Sequence, residues 1–475
     1  MLFPTVTFAF FLVIVLPASW LLMPRSTIWR PFMVAASYVF YGWWDWHFVF
    51  LLVGSTLGNQ LAAHAIYRER RPGARKAILA AAVCGNLAVL AYFKYTGFFL
   101  SSATNVVDRL GLDMAPRIVS VTLPVGISFF TFMALSYVID TYRRDFRPVS
   151  LPLFAVYLSF FPHLVAGPIV RPSELVPQLE TPRDPRHVDA ARAFGLILTG
   201  LFMKVVIANY LASEIVDSVF GAPGEHSSLE TLVAIYGYAV QIFADFFGYT
   251  NIAIGVALLL GFRFPQNFDS PYTALTVQDF WRRWHMTLSR WLRDYLYIPL
   301  GGSHGSRIAT YRNLMLTMLL GGLWHGAAWT FVAWGGMQGL GLVLNRFLQD
   351  RRRARGLPEP RVTAFGRAWR RLATFNFICL AWVFFRADSF GAARDVLKQL
   401  FVAWGRPSPL VTTGVVVAIA VGIGMQYVPR RIPELVMARF SRLSPVTMGV
   451  SLAVVLVVIG AMGPQGVAPF IYFRF

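Results

Sequence analysis

The sequence predicts an all-α polytopic membrane protein of about 11 transmembrane helices, with re-entrant and interfacial helices between them. Three observations predict it. The 475 residues are 56% hydrophobic and only 14% charged, too apolar a balance for a soluble chain of this size. Apolar runs of near-membrane length recur along the chain, separated by short loops. Arginine and lysine gather in alternate loops, as the positive-inside rule requires of membrane proteins. The 15% aromatic share, with 14 Trp and 41 Phe, suits interfacial belts.

The elements follow in order. Spans are expected near 5–23, 31–46 and 47–65, with the N-terminus outside. The first run lacks a basic n-region and a small-residue cleavage site, so it is expected to be a retained span, not a signal peptide. Arg68, Arg70, Arg71, Arg75 and Lys76 then form a cytoplasmic loop. Spans near 77–98 and 119–140 flank an external loop at 100–117, and Arg143, Arg144 and Arg147 return the chain to the cytoplasm. A third pair is expected near 190–211 and 231–261. The loop at 212–230 holds Glu214, Asp217, Glu225 and Glu230 with no Lys or Arg, which places it outside. Spans near 328–346, 371–387, 411–427 and 446–463 alternate around Arg351, Arg352, Arg353 and Arg355 and then Arg430 and Arg431. No internal repeat or separable soluble domain is visible, so residues 1–475 are expected to be one membrane domain.

The formal charge of +20 suggests nucleic acid at first sight, but the cations lie in short interspan loops, and no nucleic-acid role is expected. Cys84 and Cys379 fall in apolar runs without ligand spacing and read as small hydrophobes.

Two segments do not pattern as ordinary spans. Residues 151–170 are apolar but carry Pro152, Pro162, His163, Gly167 and Pro168, and both flanks are basic. An apolar run that returns to its starting side is a re-entrant element, and broken backbone at that depth needs protein or a cavity around it. A Pro-kinked full span is the alternative. The other segment is 279–302. On a helix Phe280, Trp284, Leu288, Trp291 and Tyr295 share one face, flanked by Arg282, Arg283, Arg290 and Arg293, with His285 beside Trp281, Leu288 and Leu292. Such a helix lies in the membrane interface, or its arginines form a cationic surface for a phosphate-bearing cofactor. There is no Walker loop and no dinucleotide-binding glycine pattern, so any such site would be built from arginines.

The sharpest signal is Gly321-Gly322-Leu323-Trp324-His325-Gly326-Ala327-Ala328-Trp329. His325 stands alone in a stretch from Asn313 that stays uncharged until Arg346. An ionisable group at membrane depth is costly and marks a functional cavity more often than chance. Histidine can also exchange a proton near neutral pH. A buried interhelical hydrogen bond is the plain alternative. Asp245, in Phe243-Ala244-Asp245-Phe246-Phe247-Gly248-Tyr249, is the acidic residue in mid-span, expected in a structural ion pair and a candidate orienter of a histidine. The intramembrane histidines have no carboxylate at ligand spacing, so no metal is expected. His163 is expected to shape the re-entrant bend. His47, His64, His187, His226 and His304 lie at span ends or in loops and are given no role.

Taken in order, Leu123-Pro124-Val125-Gly126-Ile127-Ser128-Phe129-Phe130-Thr131-Phe132, Phe161-Pro162-His163-Leu164-Val165-Ala166-Gly167-Pro168-Ile169, Phe280-Trp281-Arg282-Arg283-Trp284-His285 and Leu323-Trp324-His325-Gly326 resemble the membrane-bound O-acyltransferase superfamily, in its bacterial alginate O-acetyltransferase branch. Ser37-Tyr38-Val39-Phe40-Tyr41-Gly42-Trp43-Trp44 and the closing Pro469-Phe470-Ile471-Tyr472-Phe473-Arg474-Phe475 fit that branch as well. The resemblance implies a central tunnel in the inner membrane, with a funnel on each face narrowing to a point at His325. It implies transfer of an acetyl group from a cytoplasmic donor, acetyl-CoA, to a hydroxyl on a periplasmic partner or an exopolysaccharide such as alginate. The implied partners are inner-membrane lipids, a periplasmic hydrolase-fold acetyltransferase and an exopolysaccharide export complex.

A thioester is already activated, so the enzyme needs mainly to position a hydroxyl and remove its proton. His325 is expected to be the general base and His285 to position the donor or polarise its carbonyl. Arg282, Arg283, Arg290 and Arg293 are the candidates for holding the donor. Two other functions remain open. A transporter or flippase would show paired repeats with matched broken helices, which the sequence lacks. A non-catalytic scaffold of an export complex would leave both histidines dispensable.

Overall fold

The computed structural model describes residues 1–111, 121–358 and 362–463. The motif at 469–475 and the 112–117 part of the expected external loop lie outside the described residues. Among the described residues every regular element is helical. They fall into two compact units, 1–193 with 253–265, and 194–252 with 266–475.

The first unit contains α1 (Val6–Leu22), α2 (Ser26–Gly42), α3 (His47–Arg68), α4 (Pro72–Arg109), α5 (Ile127–Arg143), α6 (Leu151–Ser159) and α7 (Pro172–Glu180). The 38-residue α4 runs well past the expected span and into the expected external loop. The segment at 151–170 breaks as its prolines require. After α6 the chain kinks at Phe160, makes the single turn Phe161–Leu164, and continues without helix to Val170. Its broken backbone is entirely sheltered by protein, with Leu153 to Val170 buried. Phe161 sits among the rings of Phe11 and Phe40 at 5.2 and 5.5 Å, and its N–H donates to Ser37 Oγ at 3.2 Å. His163 is fully buried. Its Nε2 is 2.9 Å from the Tyr157 carbonyl, and its ring stacks on Phe264 at 5.4 Å. Gly126, at φ 76°, approaches this turn so closely that a Cβ there would run into the Leu164 carbonyl.

The second unit holds the long helix α8 (Ala190–Gly221, its first turn in the first unit), α9 (Ser228–Leu259, its last residues from 253 in the first unit), α10 (Val277–Trp281), α11 (Met286–Leu292), α12 (Arg307–His325), α13 (Trp329–Ala354), α14 (Ala364–Arg386), α15 (Phe390–Val402), α16 (Thr413–Gly424), α17 (Arg431–Phe440) and α18 (Pro445–Met462). Helix α8 contains two π segments, Phe202–Ala208 and Ala212–Val216. Lys204 lies in the first of them and forms an ion pair with Asp245 of α9, both 2% exposed. Asp245 is therefore ion-paired, as its mid-span position suggested. The crossing is tight because Gly200 and Gly248 bring the two backbones together, each leaving no room for a Cβ against the other's carbonyl.

Five described helices are long and apolar enough to cross a membrane: α3, α4, α8, α9 and α18. The pair Thr413–Tyr427 and Arg431–Phe440, bent by 92°, would make a sixth. Length and apolarity alone thus do not reproduce the expected count of about 11. The physical reason lies in the remaining helices. At 17 residues, α1, α2 and α5 are short, while α12 and α13 carry Thr310, Asn313, Thr317, Thr330 and Gln338 into the protein interior, where polar groups are sheltered from lipid. Cys379 is buried and Cys84 exposed, and both are free thiols.

The single amphipathic helix expected within 279–302, with Phe280 to Tyr295 on one face, is not formed. Helix α10 ends at Trp281, His285 takes a left-handed conformation (φ 41°), and α11 starts afresh at Met286 before passing into a π segment, Arg293–Tyr297. Phe280, Trp284, Leu288, Trp291 and Tyr295 are nevertheless all buried, at 9% exposure or less. They form part of the protein core and do not present a face to the membrane interface. The 3–4 spacing of apolar residues is satisfied equally well by two short helices joined by a sharp turn.

Candidate active site

Helices α12 and α13 form a tight hairpin, and His325 is the last residue of its first arm. Gly322 and Gly335 let the two backbones touch. A Cβ on Gly322 would strike the Phe331 carbonyl, and one on Gly335 the Met318 carbonyl. Gly326 then turns the chain out in an extended conformation. Side chains larger than hydrogen at these positions would push the arms apart and move His325.

The His325 imidazole is 2% exposed. Trp324, Trp334 and Phe385 surround it with ring centroids at 5.0, 5.0 and 5.5 Å, all near edge-to-face. Trp382 stacks behind Trp334 at 5.6 Å. Three helices, α12, α13 and α14, thus meet at one imidazole. Such an enclosure excludes water and fixes the ring.

His285 is fully buried in the same unit. The Phe246 ring stands edge-on to it at 4.6 Å, and Trp324 lies 6.3 Å away. Trp324 therefore touches both imidazoles and brings together two histidines that lie 40 residues apart in sequence. The side-chain oxygen of Asn267 lies 3.1 Å from His285 Nδ1. His285 is outside the candidate spans, and burial pushes its imidazole pKa down to about 3, which keeps it neutral at physiological pH.

The four arginines are not equivalent. Arg283 is engaged internally, its Nε 2.8 Å from Asp279 and its Nη1 3.3 Å from the Asp269 carbonyl. Arg282 and Arg293 are exposed, and Arg293 pairs with the adjacent Asp294 at 2.6 Å. Arg290 is half-buried in the last turn of α11. Among the described residues no group of three or more His, Cys, Asp or Glu side chains is arranged to hold a metal ion.

A match to the membrane-bound O-acyltransferase family covers residues 86–386. It includes both histidines and the aromatic rings around them. The chain belongs to the membrane-bound O-acyltransferase family. It is 38% identical over 395 residues to the peptidoglycan O-acetyltransferase of Helicobacter pylori, covering 78% of this chain and 73% of that one. It is 40% identical over 376 residues to the protein named "Probable alginate O-acetylase AlgI" in Pseudomonas aeruginosa, covering 78% and 69%. It is 29% identical over 313 residues to the teichoic acid D-alanyltransferase of Streptococcus thermophilus, covering 61% and 75%. The chain is thus an O-acyltransferase and a multi-pass protein of the bacterial inner membrane, and its family works on acyl donors.

Sequence reasoning missed several residues around the candidate histidines of this membrane-bound O-acyltransferase. Phe246, Trp334, Phe385 and Asn267 come from four segments far apart in the chain, and no spacing links them to a histidine. Lys204 had a readable signal, a lone cation in the apolar run Phe202-Met203-Lys204-Val205-Val206.

Proposed function

We propose that this acyltransferase moves an acetyl group from cytoplasmic acetyl-CoA across the membrane to a hydroxyl on a periplasmic partner protein or an exopolysaccharide such as alginate, with the whole chain acting as one transmembrane domain. His325 removes the proton of the acceptor hydroxyl as its oxygen attacks the thioester carbonyl. The C–O bond forms, the C–S bond breaks, and the proton passes to the leaving thiolate. General-base help of this kind contributes roughly 10²–10⁴-fold, and a water-poor enclosure protects the thioester from hydrolysis. The observation that carries the reading is the aromatic enclosure of His325, with Trp324 joining it to His285. The buried Trp334 Nε1 and Gln338 Nε2, which lack hydrogen-bond partners among the described residues, support a polar ligand passing beside α13. The deciding experiment is transfer of labelled acetyl from acetyl-CoA by the purified protein, with His325→Ala as control. Transfer that is absent from both proteins would favour a transporter or a scaffold.

For the donor's phosphates we propose Arg282, Arg290 and Arg293, with Arg283 holding the local chain through Asp279. Charge removal at any of the three is expected to raise the apparent KM for acetyl-CoA, with a smaller effect at high salt. A lower protein yield at unchanged KM would assign that arginine to anchoring alone.

The orientation follows from the basic loops. Cysteine-accessibility labelling is expected to find residues 68–76, 351–361 and 430–431 cytoplasmic, and 212–230 and the C-terminus periplasmic. Labelling of 351–361 from outside would invert the proposed donor side.

A further inference from the structure

The segment leading into α10 places one buried amide against His285 and the turn that carries it. Asn267 is 1% exposed. Its side-chain oxygen accepts the Thr287 N–H at 3.3 Å and the Thr287 hydroxyl at 2.9 Å, and lies 3.1 Å from His285 Nδ1. Its main-chain carbonyl accepts the Met286 N–H at 2.8 Å. A backbone N–H only donates, so the oxygen of the amide, and not its nitrogen, must face this cluster. The orientation of Asn267 is therefore set by its bonding. His285 Nδ1, facing the same oxygen, must carry its proton. A neutral imidazole has one N–H, which leaves Nε2 with a lone pair.

We propose that Asn267 is the positioning residue for His285: it locks the imidazole in the tautomer protonated on Nδ1, so that Nε2 meets the substrate as a hydrogen-bond acceptor. This rests on His285 belonging to the transfer site. It also selects between the two roles open to His285 on sequence grounds. Polarising a thioester carbonyl requires an N–H at Nε2, and this tautomer has none there. Holding a substrate O–H or N–H in line requires the lone pair that it offers.

The same residue holds the backbone. His285 is one of three non-glycine residues with positive φ among the described residues, a conformation that a side chain disfavours. The two N–H groups that follow it, of Met286 and Thr287, are both held by Asn267. The Asn267 loop is itself tethered. The Asp269 N–H donates to the Arg283 carbonyl at 2.9 Å, and Arg430 Nη2 lies 2.8 Å from both Asp269 carboxylate oxygens. Arg283 thereby serves the geometry of His285 through this loop.

The test uses the full chain in lipid bilayers, labelled with ¹⁵N-histidine, with the His285 signals identified by their loss in His285→Gln. Solid-state NMR at neutral pH is expected to show a protonated Nδ1 and an unprotonated Nε2. Asn267→Leu is expected to mix or invert the tautomers and lower kcat by about 10–100-fold, the range for losing a residue that orients a functional histidine. Asn267→Asp, which keeps an acceptor oxygen, is expected to hold the tautomer and most of the activity, and it keeps the test open if the leucine variant fails to fold. A protonated Nε2 in the unmodified protein would overturn the proposal, as would an Asn267→Leu protein with unchanged tautomer and turnover. Normal turnover by His285→Gln, with the wild-type tautomer as expected, would instead remove His285 from the transfer site and the positioning role with it.

Discussion

His325→Asn is expected to lose at least ~100-fold in kcat while membrane insertion and donor binding stay intact. Asparagine keeps a polar side chain of similar reach but has no basic group near neutral pH. Its smaller volume leaves space among Trp324, Trp334 and Phe385, so some loss of packing is expected as well. The two effects separate by measurement. Proton transfer acts in the transition state, so a lost general base lowers kcat with little change in the KM for acetyl-CoA. Loosened packing would show as a lower melting temperature of the purified protein. Near-normal turnover by His325→Asn would remove the general-base assignment and make a non-catalytic scaffold the leading reading.

Lys204→Met is expected to be the most destabilising single change away from the histidines. Lys204 and Asp245 are each 2% exposed and form an ion pair where α8 and α9 cross at Gly200 and Gly248. Removing one member of a buried pair strands the other charge, at a cost of about 3–5 kcal/mol. Replacing both with apolar residues of similar volume is often neutral, so Lys204→Met/Asp245→Leu should recover most of the loss. Unfolding of the detergent-solubilised protein, compared across both single variants and the double, reads this directly. A double variant destabilised by the sum of the two single losses would show that the pair itself contributes little. Lys204 sits in a π segment of α8 and pairs with Asp245 of α9.

Membership of the membrane class was legible from composition and loop charge alone, because lipid imposes its apolarity on every exposed surface of a spanning chain. The break within 151–170 was legible too, since a segment carrying Pro152, Pro162, Gly167 and Pro168 is poorly suited to one unbroken helix. His325 stood out because an ionisable group in an apolar stretch is rare for an energetic reason that needs no partner to be known. Asp245 stood out for the same reason.

The tertiary structure decided what depends on relative placement. Periodicity placed Phe280, Trp284, Leu288, Trp291 and Tyr295 on one face of a single helix, but the chain breaks at His285. The break is sustained by Asn267, 18 residues earlier, whose two oxygens satisfy the N–H groups freed by the turn. Local spacing carries no record of that contact. The same holds for Trp334 and Phe385, which reach His325 from α13 and α14, and for Lys204, which reaches Asp245 from α8. By itself the sequence determined which groups are costly to bury at membrane depth, since that cost belongs to each residue. Which partners meet that cost belongs to the packing of helices against one another, and only the folded chain decides it.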